Sequence, residues 1–413
     1  MTESADTATE PPQRAKLSWR EGLFLVGPDP LTSPYYSSGA LIVAGVGYTT
    51  PIFQIGLYAL LFVLAPIYVE AVLLTLSNGG TYVMTRYALS HLGKLAVVAA
   101  ASVGVTISFS YVATAIVSLL SFSDYVLSLV GGGHGGHTVA AICLATLPAI
   151  GFAMWVMPGR WRATMPTVLL TTLAAIALSP IFPRAVVVML PPLVLLFSLN
   201  NYGLHESVQV SKTIFLINLA VMGITLGFGV IYVLMHGLDV DLFLHGAPQV
   251  EAAAPAGSHG ARHLPGFLTL GAALVPVALG SSILGASGVE SVMNIPEELE
   301  RPRRDIRKIY RVMLLTLLVV GGLTSVLVFM VLSPQQLLGA AGYLVAELGK
   351  TAVAGVTGVE LLGSIWSVVI VTSAALMLIG ATNTGFAGAR GLWVTMARDN
   401  LLPRALLDPN ERG

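Results

Sequence analysis

Long apolar runs recur along the whole chain, separated by short polar or glycine-rich stretches. A bilayer core of about 30 Å needs about 20 apolar residues in a helix, and about ten runs reach or approach that length. They are residues 23–47, 53–77, 95–130, 138–157, 163–181, 184–200, 210–236, 267–293, 311–333 and 360–388. The third is too long for one simple span, so it is expected to tilt or to extend beyond the bilayer. The sixth is short and holds Pro191-Pro192, which makes it the weakest of the set. Two runs are interrupted. The first opens on Gly27-Pro28-Asp29-Pro30-Leu31-Thr32-Ser33-Pro34, and the 267–293 run contains Gly285-Ala286-Ser287-Gly288. An acid sits beside each interruption, Asp29 and Glu290. A pair of interrupted apolar helices is the sequence pointer to a transporter binding site.

Composition supports a membrane reading. The chain has 413 residues, of which 55% are hydrophobic and 10% charged, against about 25% charged in soluble domains. Net charge is zero, so nothing points to a nucleic-acid partner. The single cysteine, Cys143, excludes an internal disulfide and a cysteine-rich metal site. The polar start carries no apolar core with a cleavage site, so it is not a signal peptide. Residues 1–22 read as a cytosolic N-terminal tail ahead of a transmembrane domain over 23–413.

Lys and Arg placement sets the orientation. With the N-terminus inside, all of the 21 Lys and Arg residues except Arg184, Arg262 and Lys350 fall on the cytoplasmic side, including the cluster from Arg301 to Arg311. The expected localisation is the cell membrane, multi-pass, N-terminus cytoplasmic. The external connections are rich in Gly and His (131–137) or in Ala, Pro and Gly (237–265). His245, His259 and His263 in the latter are loosely spaced, which favours a solvated loop over a metal site.

The candidate chemistry centres on the interruptions. Charges in lipid are expensive and tolerated mainly where they work. Pro28, Pro30 and Pro34 each remove a backbone donor, and the carbonyls so released need partners, which a cation can supply. Asp29 adds charge, and Thr32, Ser33 and Tyr36 add hydroxyls; alternatively, Asp29 is a helix N-cap at the cytoplasmic interface. Glu290 is placed to exchange protons, or to clamp the second break structurally. In the third run Ser110, Thr114 and Ser118 share one helix face, either lining a site or gluing helices together. Glu70 and Lys212 lie near cytoplasmic ends, where interface exposure and snorkelling compete with function. No G-x-S-x-G, P-loop or H-E-x-x-H occurs, so the chain does not read as an enzyme.

Gly288-Val289-Glu290-Ser291, Asn294, Glu297-Glu298 and Arg301-Pro302-Arg303-Arg304-Asp305-Ile306 are similar to the sixth core helix and following loop of the amino acid–polyamine–organocation (APC) superfamily. Ala397-Arg398-Asp399-Asn400-Leu401-Leu402-Pro403-Arg404 resembles the segment after its eighth. The resemblance implies an all-α, multi-pass transporter of the LeuT-like inverted-repeat type. Within it, Asp29, Thr32-Ser33-Pro34 and Tyr36 look most like the first helix of KUP and KimA-type potassium transporters. Gly203-Leu204-His205-Glu206-Ser207 and Asn383-Thr384-Gly385-Phe386-Ala387 also resemble KimA-type segments. That likeness puts Asp29, Thr32, Tyr36, Ser110, Thr114 and Ser287 at an ion or substrate site and Glu290 at proton coupling. Ser287 stands where threonine is expected, and the glycine-rich first-helix signature of amino-acid permeases is missing. Residues 138–181 look like an inserted helical hairpin. The resemblance calls for two more helices after core helix eight, so the sequence is expected to be a fragment.

The leading expectation is therefore proton-coupled potassium uptake, with no cofactor beyond the transported potassium and proton. A proton-coupled amino-acid permease is the alternative, and a non-transporting membrane scaffold or sensor a second one. The expected partners are a small ion or small-molecule substrate and the lipid bilayer, with room left for a homodimer.

Overall fold

Ser18 starts the first helix. Its hydroxyl and its N–H both donate to the Glu21 carboxylate at 2.8 Å, and the Glu21 N–H donates back to Ser18 Oγ. This reciprocal capping box satisfies donors that a helix start otherwise orphans. Helix α1 (Trp19–Val26) thus begins inside the stretch expected to be tail. Leu17 is held as well: its N–H donates to the Glu298 carbonyl (2.7 Å) and its carbonyl accepts from the Glu300 N–H (2.9 Å). The computed structural model describes residues 16–77, 79–130, 136–156, 161–201, 208–237, 239–250 and 262–407.

α2 (Pro28–Leu31) and α3 (Ser33–Val43) continue the first span. Gly27 (φ −63°, ψ −32°) and Thr32 (φ −78°, ψ −21°) keep right-handed helical angles at the junctions. The prolines remove ladder hydrogen bonds, but they do not turn the chain out of the helix. The expected broken backbone is a weakened helix here, because proline's fixed φ suits a helix wherever its missing N–H is tolerated.

α4 (Thr50–Thr75) carries Pro66 in its interior. α5 (Gly80–Ala88) is short and amphipathic. α6 (Lys94–Val130) is one continuous helix of 37 residues, about 55 Å long, so the overlong third run does outreach a bilayer core. α7 (Gly136–Val156), α8 (Trp161–Leu178) and α9 (Arg184–Asn201) follow, and α9 stays helical through Pro191-Pro192. Then come α10 (Val208–His236) and α11 (Val240–His245).

Part of the stretch expected to be solvated loop is built. Strands β1 (Gly246–Val250) and β2 (Arg262–Pro265) pair antiparallel. Ala247 and Leu264 are buried in an apolar cluster with Tyr48 and Phe329, which is what holds the hairpin down. His245 bonds to Asp241 at 2.8 Å, while His259 lies outside the described residues.

The second interruption is a true break. α12 (Leu274–Ser282) passes into tight 3₁₀ turns at Ile283–Ala286 and Val289–Asn294. Between them Ser287 is extended (ψ 136°) and Gly288 is left-handed (φ +84°). α13 (Pro302–Thr316) and α14 (Gly322–Val331) are joined through a π turn at Leu317–Gly321. α15 (Pro334–Gly339), α16 (Leu344–Thr357) and the 39-residue α17 (Glu360–Arg398) complete the chain order.

α17 packs along α6 and α16, and α10 lies against α16 and α17. α7 contacts α6, α9 and α17, whereas α8 contacts α7 and α9. Among the described residues, five helical stretches are long and apolar enough to cross a membrane: Gly47–Thr75, Lys94–Val130, Val208–His236, Pro302–Val331 and Glu360–Arg398. Shorter apolar helices cover Thr138–Pro148, Met165–Leu178, Arg184–Ser198 and Leu274–Ala286.

Candidate functional site

The second break is locked to the first span by contacts that only its backbone shape allows. A side chain on Gly288 would place its Cβ 2.5 Å from Asp29 Cγ. The missing Cβ therefore does two things: it permits the left-handed angle and it lets the Asp29 carboxylate close on the break. Ser291 Oγ donates to Asp29 Oδ2 at 2.6 Å. Thr32 Oγ1 donates to the Asp29 carbonyl (2.6 Å), and Ser33 Oγ reaches the Ser287 carbonyl and Tyr36 Oη, each at 3.5 Å. Asp29 is 2% exposed and occupies the interior of the short helix α2, so it is not the N-cap that its position before a proline suggested.

From the other side, Thr114 Oγ1 on α6 meets Ser287 Oγ at 3.0 Å. Beyond this contact lies a cavity of about 720 Å³, walled by α3, α4, the start of α5, α6, the break and Leu392 of α17. Ser110, Thr114, Ser287 and Glu290 line it. Asp29, Thr32 and Tyr36 do not: they are buried directly behind that wall, in the hydrogen-bonded group just described. All of the expected site residues except Ser110 and Glu290 are therefore tied into one hydrogen-bonded or tightly packed neighbourhood, while only part of the set faces open space. Ser118, one step further along the hydroxyl stripe, is fully buried and absent from the lining.

Several lining residues were not anticipated. Tyr68 and Tyr111 face the cavity from within apolar runs, and Thr81 from α5. Asn294 Nδ2 donates to Tyr111 Oη at 2.5 Å, closing the cavity wall between the break and α6. A tyrosine inside an otherwise apolar run was the available signal, because a buried phenol needs a partner. Among the described lining residues, Glu290 brings the one formal charge.

Other candidates fall elsewhere. Glu70 lies in a separate cleft between α4 and α13. Lys212 is exposed, with its Nζ 5.8 Å from the centre of the Phe24 ring. Asp305 accepts from the Arg301 N–H (3.1 Å) and steadies the start of α13. Asp399, in the segment after α17, pairs with Arg86 and accepts from Tyr82 Oη (2.6 Å), anchoring α5 there. The stretch Gly203–Ser207 lies outside the described residues.

The profile of the family described as "Amino acid permease" matches residues 17–413. The chain belongs to the amino acid permease family. It is thus a transporter rather than an enzyme, a multi-pass membrane protein of the APC superfamily with the LeuT-like fold that membership implies, taking a small-molecule substrate. No curated protein matches the chain.

Proposed function

We propose that this permease is a proton-coupled amino-acid transporter whose substrate occupies the cavity beside Glu290. The supporting observation is the charge count of the lining. Among the described lining residues Glu290 is the one with a formal charge, because Asp29 is folded back onto Ser291 and Gly288. A proton on Glu290 leaves the lining neutral. A zwitterionic amino acid, itself neutral overall, can enter a neutral polar cavity if its ends are hydrogen-bonded. Ser110, Thr114, Ser287 and Asn294 offer such bonds. A desolvated potassium ion instead requires a nearby anion, and with Glu290 protonated none of the described lining residues carries a charge, Asp29 being buried behind the wall. The volume also fits, since small-molecule sites run to about 300–1,000 Å³. The family description supports the same substrate class.

Potassium uptake is the second reading. It rests on the likeness of the first span to KUP and KimA-type transporters and on the hydroxyls of Thr32, Ser33, Tyr36, Thr114 and Ser287 gathered around the break. The two readings separate in one experiment. Proteoliposomes holding the purified protein are given radiolabelled amino acids under an imposed inward proton gradient, and potassium uptake is measured in parallel. Gradient-driven amino-acid uptake is expected. Glu290→Gln, which fixes the side chain in its neutral form, is expected to keep amino-acid exchange and to lose the response to the gradient. Potassium uptake without amino-acid uptake, abolished by Asp29→Asn, would replace this reading with the second. Neither activity would favour a non-transporting scaffold.

A further inference from the structure

A second cleft, about 660 Å³, opens between α4 and the middle of α13. Apart from Glu70, its α4 wall is apolar and includes Phe62, Pro66 and Leu74, with Phe62 and Leu74 exposed at 38% and 60%. The α13 wall carries Arg307 and Arg311, one helical turn apart and on one face. Both arginines are exposed, and neither has a hydrogen-bond or ion-pair partner among the described residues. Glu70 lies in the same cleft. Two guanidinium groups and one carboxylate leave the site with a net single positive charge.

Such a mixture of surfaces fits one kind of molecule. An apolar wall exposed on a membrane helix expects acyl chain, and a pair of forked guanidinium groups expects a phosphate. We propose that this cleft binds an anionic phospholipid of the bilayer, with Arg307 and Arg311 on its phosphodiester and its chains along Phe62, Pro66 and Leu74. A headgroup carrying one negative charge balances the cleft, and its hydroxyls can donate to Glu70. A net-neutral lipid would leave the excess positive charge uncompensated. Basic pockets between membrane helices are a recurrent way of holding such headgroups.

The site adjoins the substrate cavity. Tyr310 lines the lipid cleft and Tyr68 lines the cavity, and their rings stack with centroids 6.0 Å apart at 17°. A lipid wedged between α4 and α13 presses on that stacked pair, so its occupancy is expected to alter transport as well as stability.

The test compares the purified protein in nanodiscs of phosphatidylcholine with and without phosphatidylglycerol, reading retained lipid by native mass spectrometry and the thermal midpoint. Preferential retention of phosphatidylglycerol and a raised midpoint are expected. Arg307→Gln with Arg311→Gln should cut the relative affinity about twenty-fivefold, taking about fivefold for each arginine near the surface, and should abolish the midpoint difference. Arg307→Lys with Arg311→Lys keeps the charge and loses the fork, so an intermediate preference is expected and also guards against a folding defect. Equal retention of both lipids by the unaltered protein, or full phosphatidylglycerol preference in the double Gln variant, would overturn the proposal. So would an equal midpoint rise with inorganic phosphate alone, which would make the ligand a soluble anion.

Discussion

At the scale of single residues, Gly288 decides more than either acid. Its φ of +84° is costly for any residue with a Cβ, and that Cβ would run into Asp29. The two effects reinforce each other, because relieving the contact means moving the carboxylate that Ser291 holds at 2.6 Å. Gly288→Ala is expected to lose at least about 1–2 kcal/mol from the left-handed angle alone, and more from the overlap. Gly280 is the control. It lines the same cavity inside α12, and an added Cβ there meets nothing within 4 Å. Gly280→Ala should be neutral or slightly stabilising, since alanine is the better helix former. Thermal unfolding in detergent, followed by tryptophan fluorescence, separates the two; equal midpoints would remove the lock between the spans. Sequence pointed to both acids but could not tell their fates apart. Asp29 and Glu290 look alike as lone carboxylates beside helix-breaking residues. What distinguishes them is a long-range contact, Ser291 on Asp29, that no local pattern encodes.

At the scale of elements, apolar length made the long helices legible and hid the short ones. α4, α6, α10, α13 with α14, and α17 follow the apolar runs closely. α5 and α16 are amphipathic and too short to span, so hydropathy passes over them, yet α16 packs against α10 and α17 at the core of the bundle. The β1–β2 hairpin was invisible for another reason: its strands have 5 and 4 residues in a stretch rich in Ala, Pro and Gly, and burial of Ala247 and Leu264 holds them. Helix α1 starts about one turn before the first apolar run, on Ser18-x-x-Glu21, a capping box. That box makes a prediction. The Ser18 N–H, and then its hydroxyl, hold the Glu21 carboxyl below its usual range. A depressed folded-state pKa means the contribution is present above the unfolded value and is lost as pH falls through the folded one. Hydrogen exchange at the first turn of α1, taken relative to the intrinsic rate at each pH, should therefore speed up on acidification below the ordinary glutamate range. Ser18→Ala should speed it already at neutral pH, by the equivalent of about 0.5–2 kcal/mol. Unchanged exchange in both cases would mean that the Leu17 bridge to Glu298 and Glu300 holds this end without the cap.

At the scale of the whole molecule, the open question is which way the bundle faces, and charge supplies the argument. Lys and Arg crowd the 301–311 segment, where Arg301, Arg303, Arg304, Arg307 and Arg311 are exposed, and are sparse in 237–265. On the positive-inside rule the first segment is cytoplasmic and the second external. Only the 267–293 run separates them, and it is the segment that breaks. α12 has 9 residues and the turns up to Asn294 continue it. Taken end to end at 1.5 Å and 2.0 Å per residue this is roughly 35 Å, just enough for a core of about 30 Å. On this orientation the broken span crosses alone, with its bend at Ser287-Gly288 about two-thirds of the way along it. A labelling experiment decides it. Cys143 is exposed and has to be replaced first, as Cys143→Ser. Single cysteines are then placed at the exposed sites Asp241 and Arg303 and challenged with a membrane-impermeant maleimide in right-side-out and inverted vesicles. Asp241→Cys is expected to react only from outside and Arg303→Cys only from the cytoplasmic side. Reaction of both from one face would mean that the 267–293 segment enters and leaves by the same surface. The cavity beside Glu290 would then be a re-entrant vestibule rather than a site at the bilayer midplane, and the proposed coupling across it would fall with the topology.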